Sequence, residues 1–282
     1  MFKLRCTVRN CDELLERRDA GLFCASGHHF DQSKGGFWNL TQPQDKKSLD
    51  PGDTDDAVMA RHRWLQRGHA KGLVEAIRPW LENDMGSGRA ENSHASLRAL
   101  DLGCGEGTFG PALFGDAPND YCGIDLSRRA IKLAARRWPE ATWVLANADR
   151  VLPVTDNSIG RVVSLFGRRP TEEIARVLAD DGVCIVAVPG EEDLIELRAR
   201  VQNEGHRRSR WEQVVDEMCA AGLGLVEHRL WTQQVDLDVD EISDALAMTY
   251  RAVRKSQQDR LAAVGNTKVT LAADLMLFKP NQ

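Results

Sequence analysis

A strand that runs into three closely spaced glycines constrains the fold of this chain more than any other feature. The segment reads Ala99-Leu-Asp101-Leu-Gly103-Cys-Gly105-Glu-Gly107, and a helical pattern follows it. Glycines are needed where a backbone turns tightly and approaches a ligand with no Cβ in the way. Further along the chain, strand and helix patterns alternate. This alternation predicts an α/β fold in which helices cover both faces of a parallel sheet.

A carboxylate at the end of the second strand of this unit, Asp125, indicates a nucleoside cofactor. An acid about 20 residues after such a loop accepts hydrogen bonds from ribose hydroxyls. The loop is G-x-G-x-G preceded by Asp101, whereas dinucleotide folds use G-x-G-x-x-G to hold a pyrophosphate. Asp101 would repel a pyrophosphate but suits the cationic amino-acid end of S-adenosylmethionine. Together these features resemble the signature of the class I S-adenosylmethionine-dependent methyltransferases, and the resemblance implies a Rossmann-like α/β fold with a mostly parallel seven-stranded sheet.

The segment after the third strand extends the predicted cofactor site. Ala146-Asn147-Ala148-Asp149 precedes Leu152-Pro153 and resembles the A-D-A-x-x-L-P segment of this superfamily, in which a polar side chain reads adenine. The alternative is a polar turn at the end of a strand. The predicted cofactor contacts are Asp101, Gly103, Gly105, Glu106, Gly107, Asp125, Leu126, Asn147 and Ala148.

Two short ligand pairs near the start of the chain predict a structural zinc site. They are Cys6-x4-Cys11 and Cys24-x3-His28, which supply a Cys₃His set for tetrahedral coordination. His29 is the alternative fourth ligand, and unrelated thiols are the alternative explanation. We therefore expect a zinc-binding module at 1–41, a linker and helical segment at 42–96, and the methyltransferase domain at 97–282.

Composition places few limits on what the protein does. A length of 282 residues can hold one large core and a smaller module. The formal net charge of −5 neither indicates nor excludes nucleic-acid binding, because local patches attract phosphates. No apolar run approaches the ~20 residues of a membrane-spanning helix, and the first residues have no secretory apolar region. We expect a cytoplasmic protein without a membrane partner.

The segment after the fourth strand usually faces the methyl acceptor, and here it runs from Leu165 to Pro170. It has neither the Asn/Asp-Pro-Pro-Tyr/Phe signature of exocyclic-amine methylation nor the Pro-Cys of pyrimidine C5 methylation. Ring nitrogens, oxygens and small molecules remain as acceptors. Phe166 suits stacking on a base, and Arg168 and Arg169 suit holding phosphate. The alternative for Phe166 is packing against the edge of the sheet.

Motifs along nearly the whole chain resemble the RlmA-type 23S ribosomal RNA (guanine-N1)-methyltransferases. They comprise Cys6, Cys11, Cys24 and His28 with Phe30-Asp31, Gly36-Phe-Trp38-Asn39-Leu40, Asp50-Pro51-Gly52-Asp53, Gly68-His69, the glycine loop, Glu172-Glu-Ile-Ala-Arg-Val177 and Met248-Thr-Tyr-Arg-Ala-Val-Arg254. The resemblance implies a zinc module that helps to grip a 23S rRNA hairpin. It also implies methyl transfer from S-adenosylmethionine to N1 of a guanine.

Several positions depart from this family, and they cluster around the expected active site. In the family, a Tyr and a His lie near the cofactor, and here Ala70 replaces the Tyr and Asp193 replaces the His. Arg168 and Arg169 stand where the family has a segment similar to Ala-Pro-Cys. The first ligand pair is C-x4-C instead of C-x2-C. Guanine N1 carries a proton that a general base must remove, and Asp149 and Asp193 are the candidates.

The sequence leaves alternative functions and the oligomeric state open. A small-molecule methyltransferase of the same fold is one alternative, and a non-catalytic zinc- and cofactor-binding paralogue that recognises RNA is another. The residues do not fix the oligomeric state, for which a homodimer is one candidate.

Overall fold

The computed structural model describes residues 2–19, 21–42, 53–82, 98–202, 210–249 and 265–281. Its strands are β1 (Glu16–Arg18), β2 (Gly21–Phe23), β3 (His29–Asp31), β4 (Trp38–Asn39), β5 (Ala99–Leu102), β6 (Tyr121–Asp125), β7 (Thr142–Leu145), β8 (Ile159–Leu165), β9 (Leu178–Pro189), β10 (Leu223–Leu237) and β11 (Thr267–Pro280). Its α-helices are α1 (Asp55–Gln66), α2 (Lys71–Glu82), α3 (Phe109–Phe114), α4 (Arg128–Arg137), α5 (Thr171–Val177), α6 (Ile195–Gln202), α7 (Trp211–Ala220) and α8 (Val239–Thr249).

A mixed sheet forms the centre of the molecule, with strands in the order β10-β11-β9-β8-β5-β6-β7-β4. The pairs from β4 to β9 are parallel, and β11 runs antiparallel to both β9 and β10. The predicted class I methyltransferase fold is confirmed. The sheet has eight strands among the described residues instead of the predicted seven, because β4 from the N-terminal segment adds to its edge.

The order of the parallel strands determines where a cofactor can bind. After β5, the chain continues outward through β6 and β7 and then returns to β8 on the other side of β5. Such a reversal opens a crevice at the carboxyl ends of the strands. Every residue of β5 and β8 is buried, as expected for strands covered on both faces. The loops that follow β5 and β8 therefore lie on a rigid base.

The helical segment predicted within 42–96 consists of α1 and α2, while residues 43–52 and 83–97 lie outside the described residues. Helix α1 begins at an N-cap, where the Thr54 hydroxyl accepts a hydrogen bond from the amide of Ala57. The guanidinium of Arg63 binds the buried carboxylate of Asp244 at 2.5 Å and so ties α1 to α8. Helices α1 and α2 thereby form a wall beside the carboxyl ends of the strands.

The N-terminal segment packs directly on the central sheet. Strands β1, β2 and β3 form a small antiparallel sheet, and β4 places Trp38 opposite Val144 of β7. Phe2, Leu4 and Leu22 belong to the same buried cluster as core side chains such as Leu100. Within the described ranges, no helix is long and apolar enough to cross a membrane.

Candidate functional site

The glycine loop after β5 has a left-handed backbone that L side chains rarely adopt. Gly105 has φ of 57° and Gly107 has φ of 76°. A Cβ at Gly107 would lie 2.7 Å from a ring carbon of Trp143 and 2.8 Å from Cβ of Ala134, so this glycine allows α4 to pack closely. A Cβ at Gly105 would meet nothing closer than Arg61, at 3.8 Å. Gly105 therefore leaves open space on the ligand side of the loop.

Asp125 at the end of β6 holds this loop in place. One carboxylate oxygen accepts a hydrogen bond from the amide of Gly105 at 2.9 Å, and the other accepts one from the amide of Ser127 at 2.7 Å. Burial raises the pKa of Asp125, while the two amide hydrogen bonds and the guanidinium of Arg61 act in the opposite direction. The structure thus brings Asp125 to the glycine loop, while its contact with the ribose hydroxyls stays a prediction.

Asp101 lies beneath the loop and is almost fully buried, with 2% of its surface exposed. The hydroxyl of Tyr121 donates a hydrogen bond to its carboxylate at 2.7 Å. Burial, with the nearby charges of Asp125 and Glu106, raises the pKa of Asp101 to about 7. Glu106 is buried too and lies 3.8 Å from the guanidinium of Arg137.

A cavity of about 290 Å³ opens beside the glycine loop. One wall is the loop itself, with three of the nine predicted cofactor contacts, Gly103, Gly105 and Glu106. The facing walls come from the α1–α2 region, the turn before α6, β10 and α8. They contribute Arg61, Trp64, His69, Ala70, Asp193, Trp231 and Met248. The cavity is therefore enclosed by elements that are far apart in the sequence.

The remaining six predicted cofactor contacts do not line this cavity: Asp101 and Gly107 belong to β5 and the glycine loop, and the other four lie at the carboxyl ends of β6 and β7. The amide of Ala146 donates to the carbonyl of Asp125 at 3.1 Å, which keeps the two strand ends together. Leu126 follows β6, and Asn147 and Ala148 follow β7. The side-chain oxygen of Asn147 accepts a hydrogen bond from the amide of Asp149 at 3.1 Å. The ends of β6 and β7 therefore lie next to the glycine loop, to which Asp125 binds.

The segment after β8 presents an aromatic ring at the cavity. Phe166 has φ of 60°, is 47% exposed and lines the cavity. Its amide donates to the carbonyl of Ala187 at 2.9 Å. A Cβ on Gly167 would lie 2.4 Å from the carbonyl oxygen of Leu102, so the two loops touch backbone to backbone. This backbone contact and the bond to Ala187 hold the segment that carries the exposed ring beside the glycine loop.

The two carboxylates predicted as general base have different environments. Asp149 lies outside the cavity and pairs with Arg168 at 2.5 Å. Asp193 lines the cavity, and one of its oxygens accepts a hydrogen bond from the amide of Ala272 at 3.0 Å. Burial raises the pKa of Asp193 to about 6. Asp193 is therefore the candidate that can reach a ligand in the cavity.

Cys6, Cys11, Cys24 and His28 form a compact cluster in the N-terminal segment, with ligand atoms all within 4.8 Å of one another. Sγ of Cys24 lies 3.4 Å from Nδ1 of His28 and 3.9 Å from Sγ of Cys11, and Sγ of Cys6 lies 3.6 Å from Nδ1. A zinc tetrahedron with bonds of about 2.0–2.3 Å has edges of about 3.5–3.8 Å. The donor set fits a zinc ion in its chemistry, and these three separations are close to the edges of such a tetrahedron.

The cluster also distinguishes between the two adjacent histidines. His28 provides its Nδ1 to the cluster, whereas His29 is exposed on β3 and stacks on Phe23 at 5.7 Å. The wider spacing of the first ligand pair does not prevent assembly. The amide of Cys11 donates to the carbonyl of Val8, which turns the chain back toward Cys6.

Comparison with known proteins agrees with this geometry. A family model for a methyltransferase domain matches residues 99–182. The 23S rRNA (guanine(748)-N(1))-methyltransferase of Streptomyces fradiae is 28% identical over 98% of this chain and 96% of its own length. A Micromonospora griseorubida protein assigned by name to the 23S rRNA (guanine-N1)-methyltransferases is 30% identical over 70% of this chain and 69% of its own length.

The chain belongs to the 23S rRNA (guanine-N1)-methyltransferase family. It is an S-adenosylmethionine-dependent methyltransferase. The fold is also that of the YcgJ protein of Bacillus subtilis, with a TM-score of 0.52 at 14% identity over 74% of this chain and 99% of that one.

In this member of the family, sequence reasoning missed most of the wall that faces the glycine loop. Trp64, Trp231 and Met248 line the cavity from α1, β10 and α8. Such side chains are indistinguishable from core residues in an amphipathic pattern, so no local signal identifies them. His69 was visible only as part of the Gly68-His69 motif of the methyltransferase family, without a role.

Proposed function

We propose that this protein methylates N1 of a guanine in a hairpin of 23S rRNA. Two relatives carry that acceptor in their names, and one of them aligns over nearly its full length with nearly all of this chain. The alignment includes the N-terminal segment as well as the catalytic fold. A small-molecule enzyme would need only the second of these.

The observation that carries the proposal is the exposed ring of Phe166 at a cavity walled by the glycine loop. An aromatic ring held at this position offers a stacking surface for a base that has left its own helix. Base–aromatic stacking contributes about 1–3 kcal/mol per base. A guanine on Phe166 would lie beside the loop that we propose to hold the cofactor.

The residues of the chain bind and align the reactants. S-adenosylmethionine supplies a methyl sulfonium, which is already reactive, so the protein mainly has to orient it toward the acceptor. Gly103 and Gly105 allow close approach of the cofactor, and Asp125 receives its ribose hydroxyls while it fixes the loop. Leu126, Asn147 and Ala148 form the adenine side. Asp193, which has one oxygen not used by Ala272, accepts the ammonium group of the cofactor.

We also propose that the Cys₃His cluster binds one structural zinc ion. All four donors are provided by the protein, which is the arrangement of closed structural sites. The ion would stabilise residues 1–41, which contain only short strands, as a module that contacts the RNA. The division into a zinc module, a linker segment and a catalytic domain remains part of this proposal, as does action in the cytoplasm. A homodimer remains a prediction.

The decisive experiment is mass mapping of 23S rRNA from a strain that lacks the gene. We expect one guanine to lose a single methyl group, which a plasmid carrying the wild-type gene restores. A plasmid carrying Asp125→Ala should fail to restore it. Intact rRNA methylation in the deletion strain would refute the RNA substrate and favour a small-molecule acceptor. A purified protein that binds the cofactor but never transfers the methyl group would indicate a non-catalytic paralogue.

A further inference from the structure

One histidine in the cavity wall has the surroundings of a general base. His69 lines the cavity together with the glycine loop and Phe166. Its ring packs on Trp64 with centroids 4.1 Å apart, and its Nε2 lies 3.0 Å from a carboxylate oxygen of Glu241 in α8. Only 11% of the His69 side chain is exposed. The imidazole is therefore fixed in orientation by one aromatic ring and one carboxylate.

The contacts of Glu241 determine which nitrogen of His69 carries the proton. The second carboxylate oxygen of Glu241 accepts a hydrogen bond from the amide of Asp238 at 2.9 Å, and Arg67 lies 3.5 Å from the first. An ionised carboxylate has no proton to donate, so Nε2 must be the donor and Nδ1 keeps its lone pair. Within the ranges that the structure describes, Nδ1 has no hydrogen-bond partner.

We propose that His69 is the general base that removes the N1 proton of guanine and that Glu241 is its positioning residue. This proposal rests on the proposed function. N1 forms a bond to the methyl carbon as the carbon–sulfur bond breaks, and the electron pair of that bond remains on sulfur. The N1 proton passes to Nδ1 of His69 and later to water. Glu241 stabilises the imidazolium that forms, as the carboxylate of a catalytic triad does.

The two other candidates for this step are less suited to it. Asp149 lies outside the cavity and is neutralised by Arg168. Asp193 uses one oxygen on the amide of Ala272, and its other oxygen is assigned to the ammonium group of the cofactor. Unlike these two carboxylates, His69 has in the cavity wall both an orienting partner and a nitrogen with a free lone pair.

Protonation of His69 at low pH would stop the transfer, because imidazolium cannot accept another proton. The charged groups that contact His69, share the cavity wall with it or contact Glu241 come from several elements and have both signs. They are Arg61 and Arg67 on and after α1, Glu106 in the glycine loop, Asp193 before α6, and Asp238 and Glu241 at the start of α8. The rate of methyl transfer should therefore have an acid limb that is absent from a variant without His69.

The test compares three variants in single-turnover methyl transfer to a synthetic guanine hairpin with saturating cofactor. His69→Gln keeps a donor for Glu241 but cannot take a proton, so the rate should fall about 10²- to 10⁴-fold and lose its acid limb. Glu241→Gln should lower the rate less, because the ring keeps a hydrogen-bond partner while the imidazolium loses its carboxylate. Binding of S-adenosylmethionine should remain at the wild-type level in both.

The chain offers a matched control in His228, which pairs with Asp274 at 2.8 Å and stacks on Trp211 at 4.0 Å but does not line the cavity. His228→Gln should leave the rate and the pH profile unchanged. In addition, ¹⁵N NMR of histidine-labelled protein, assigned by the signal lost in His69→Gln, should show the Nε2–H tautomer for His69. An Nδ1–H tautomer would overturn the proposal without any need for turnover.

Failure of this inference can be separated from failure of the proposed function. If the wild type forms no N1-methylguanine in any 23S rRNA hairpin, the proposed function fails and the base assignment fails with it. If the wild type forms the product and His69→Gln matches its rate and acid limb, only the assignment of His69 is overturned. If His69→Gln lowered the rate no more than His228→Gln does, the assignment would also be overturned, since a loss of packing would then explain the lower rate.

Discussion

The glycine loop allows a stability effect and a binding effect to be separated with two single-methyl substitutions. Gly105→Ala and Gly107→Ala each add one Cβ to a residue with positive φ. At Gly107 the methyl group would lie 2.7 Å from the buried Trp143 and 2.8 Å from Ala134. At Gly105 it would point into open space at the cavity. The two variants therefore share backbone strain but differ in packing.

The magnitudes follow from these distances. A left-handed backbone costs an alanine about 1–2 kcal/mol relative to glycine. Overpacking against a rigid neighbour adds about 1–3 kcal/mol, and this applies only to Gly107. The free energy of unfolding should fall by about 1–2 kcal/mol in Gly105→Ala and by about 2–5 kcal/mol in Gly107→Ala. The Gly105 methyl group occupies the path of the cofactor, so S-adenosylmethionine affinity should fall at least tenfold, or about 1.4 kcal/mol.

Urea unfolding followed by tryptophan fluorescence measures the first quantity, and isothermal titration calorimetry measures the second. The m-values of both variants should equal that of the wild type, so that the midpoints report stability directly. Wild-type affinity in Gly105→Ala would show that this loop does not contact the cofactor. Equal losses of stability in the two variants would contradict the close packing of Gly107 on α4.

Three further predictions test other parts of the molecule. The purified protein should contain one zinc ion per chain, which Cys24→Ser should lose and Cys219→Ser, outside the cluster, should retain. Metal analysis that finds no zinc in protein purified without chelators would contradict the site. Asp125→Ala should weaken cofactor binding by about 1.5–3 kcal/mol, or roughly ten- to hundredfold, since a charge-assisted contact is lost; calorimetry measures this. Because the pKa of Asp193 is raised to about 6, its carboxylate is ionised above that pH and protonated below it. Affinity for the cationic cofactor should therefore fall about tenfold between pH 7 and pH 5, and Asp193→Asn should remove this part of the dependence, leaving that of Asp101; identical pH profiles would contradict the assignment.

Local signals in the sequence were sufficient to predict the fold and to bring the candidate cofactor residues to one edge of the sheet. The glycine loop, the acid at the end of β6 and the polar turn after β7 can each be recognised from a short stretch of sequence. Parallel pairing of the strands then brings them to one edge of the sheet. The Cys₃His cluster follows the same logic, because two short pairs need only one fold of the chain to meet. In both cases the chemistry is carried by residue types that have few other uses at that spacing.

The rest of the site depends on contacts between distant segments. His69 and Glu241 are 172 positions apart and meet where α1 packs against α8, a contact that includes the ion pair of Arg63 with Asp244. The role of Asp149 was obscured for a similar reason, since its partner Arg168 belongs to another loop. A carboxylate in a sequence does not reveal whether a cation will neutralise it, so the choice between the two candidates required the structure.

The two-residue strand β4 has a consequence for how this protein can be dissected. Since Trp38 and Asn39 cover the outer edge of β7, a fragment that starts after them would expose unpaired amides and carbonyls on that edge. Exposed sheet edges invite pairing with other chains. A catalytic fragment that begins at residue 97, where the sequence predicts the domain boundary, should therefore aggregate. A fragment that begins at Phe37 keeps β4 and should leave the edge of β7 covered. The N-terminal segment thus caps the edge of the catalytic sheet and prevents that edge from pairing with other molecules.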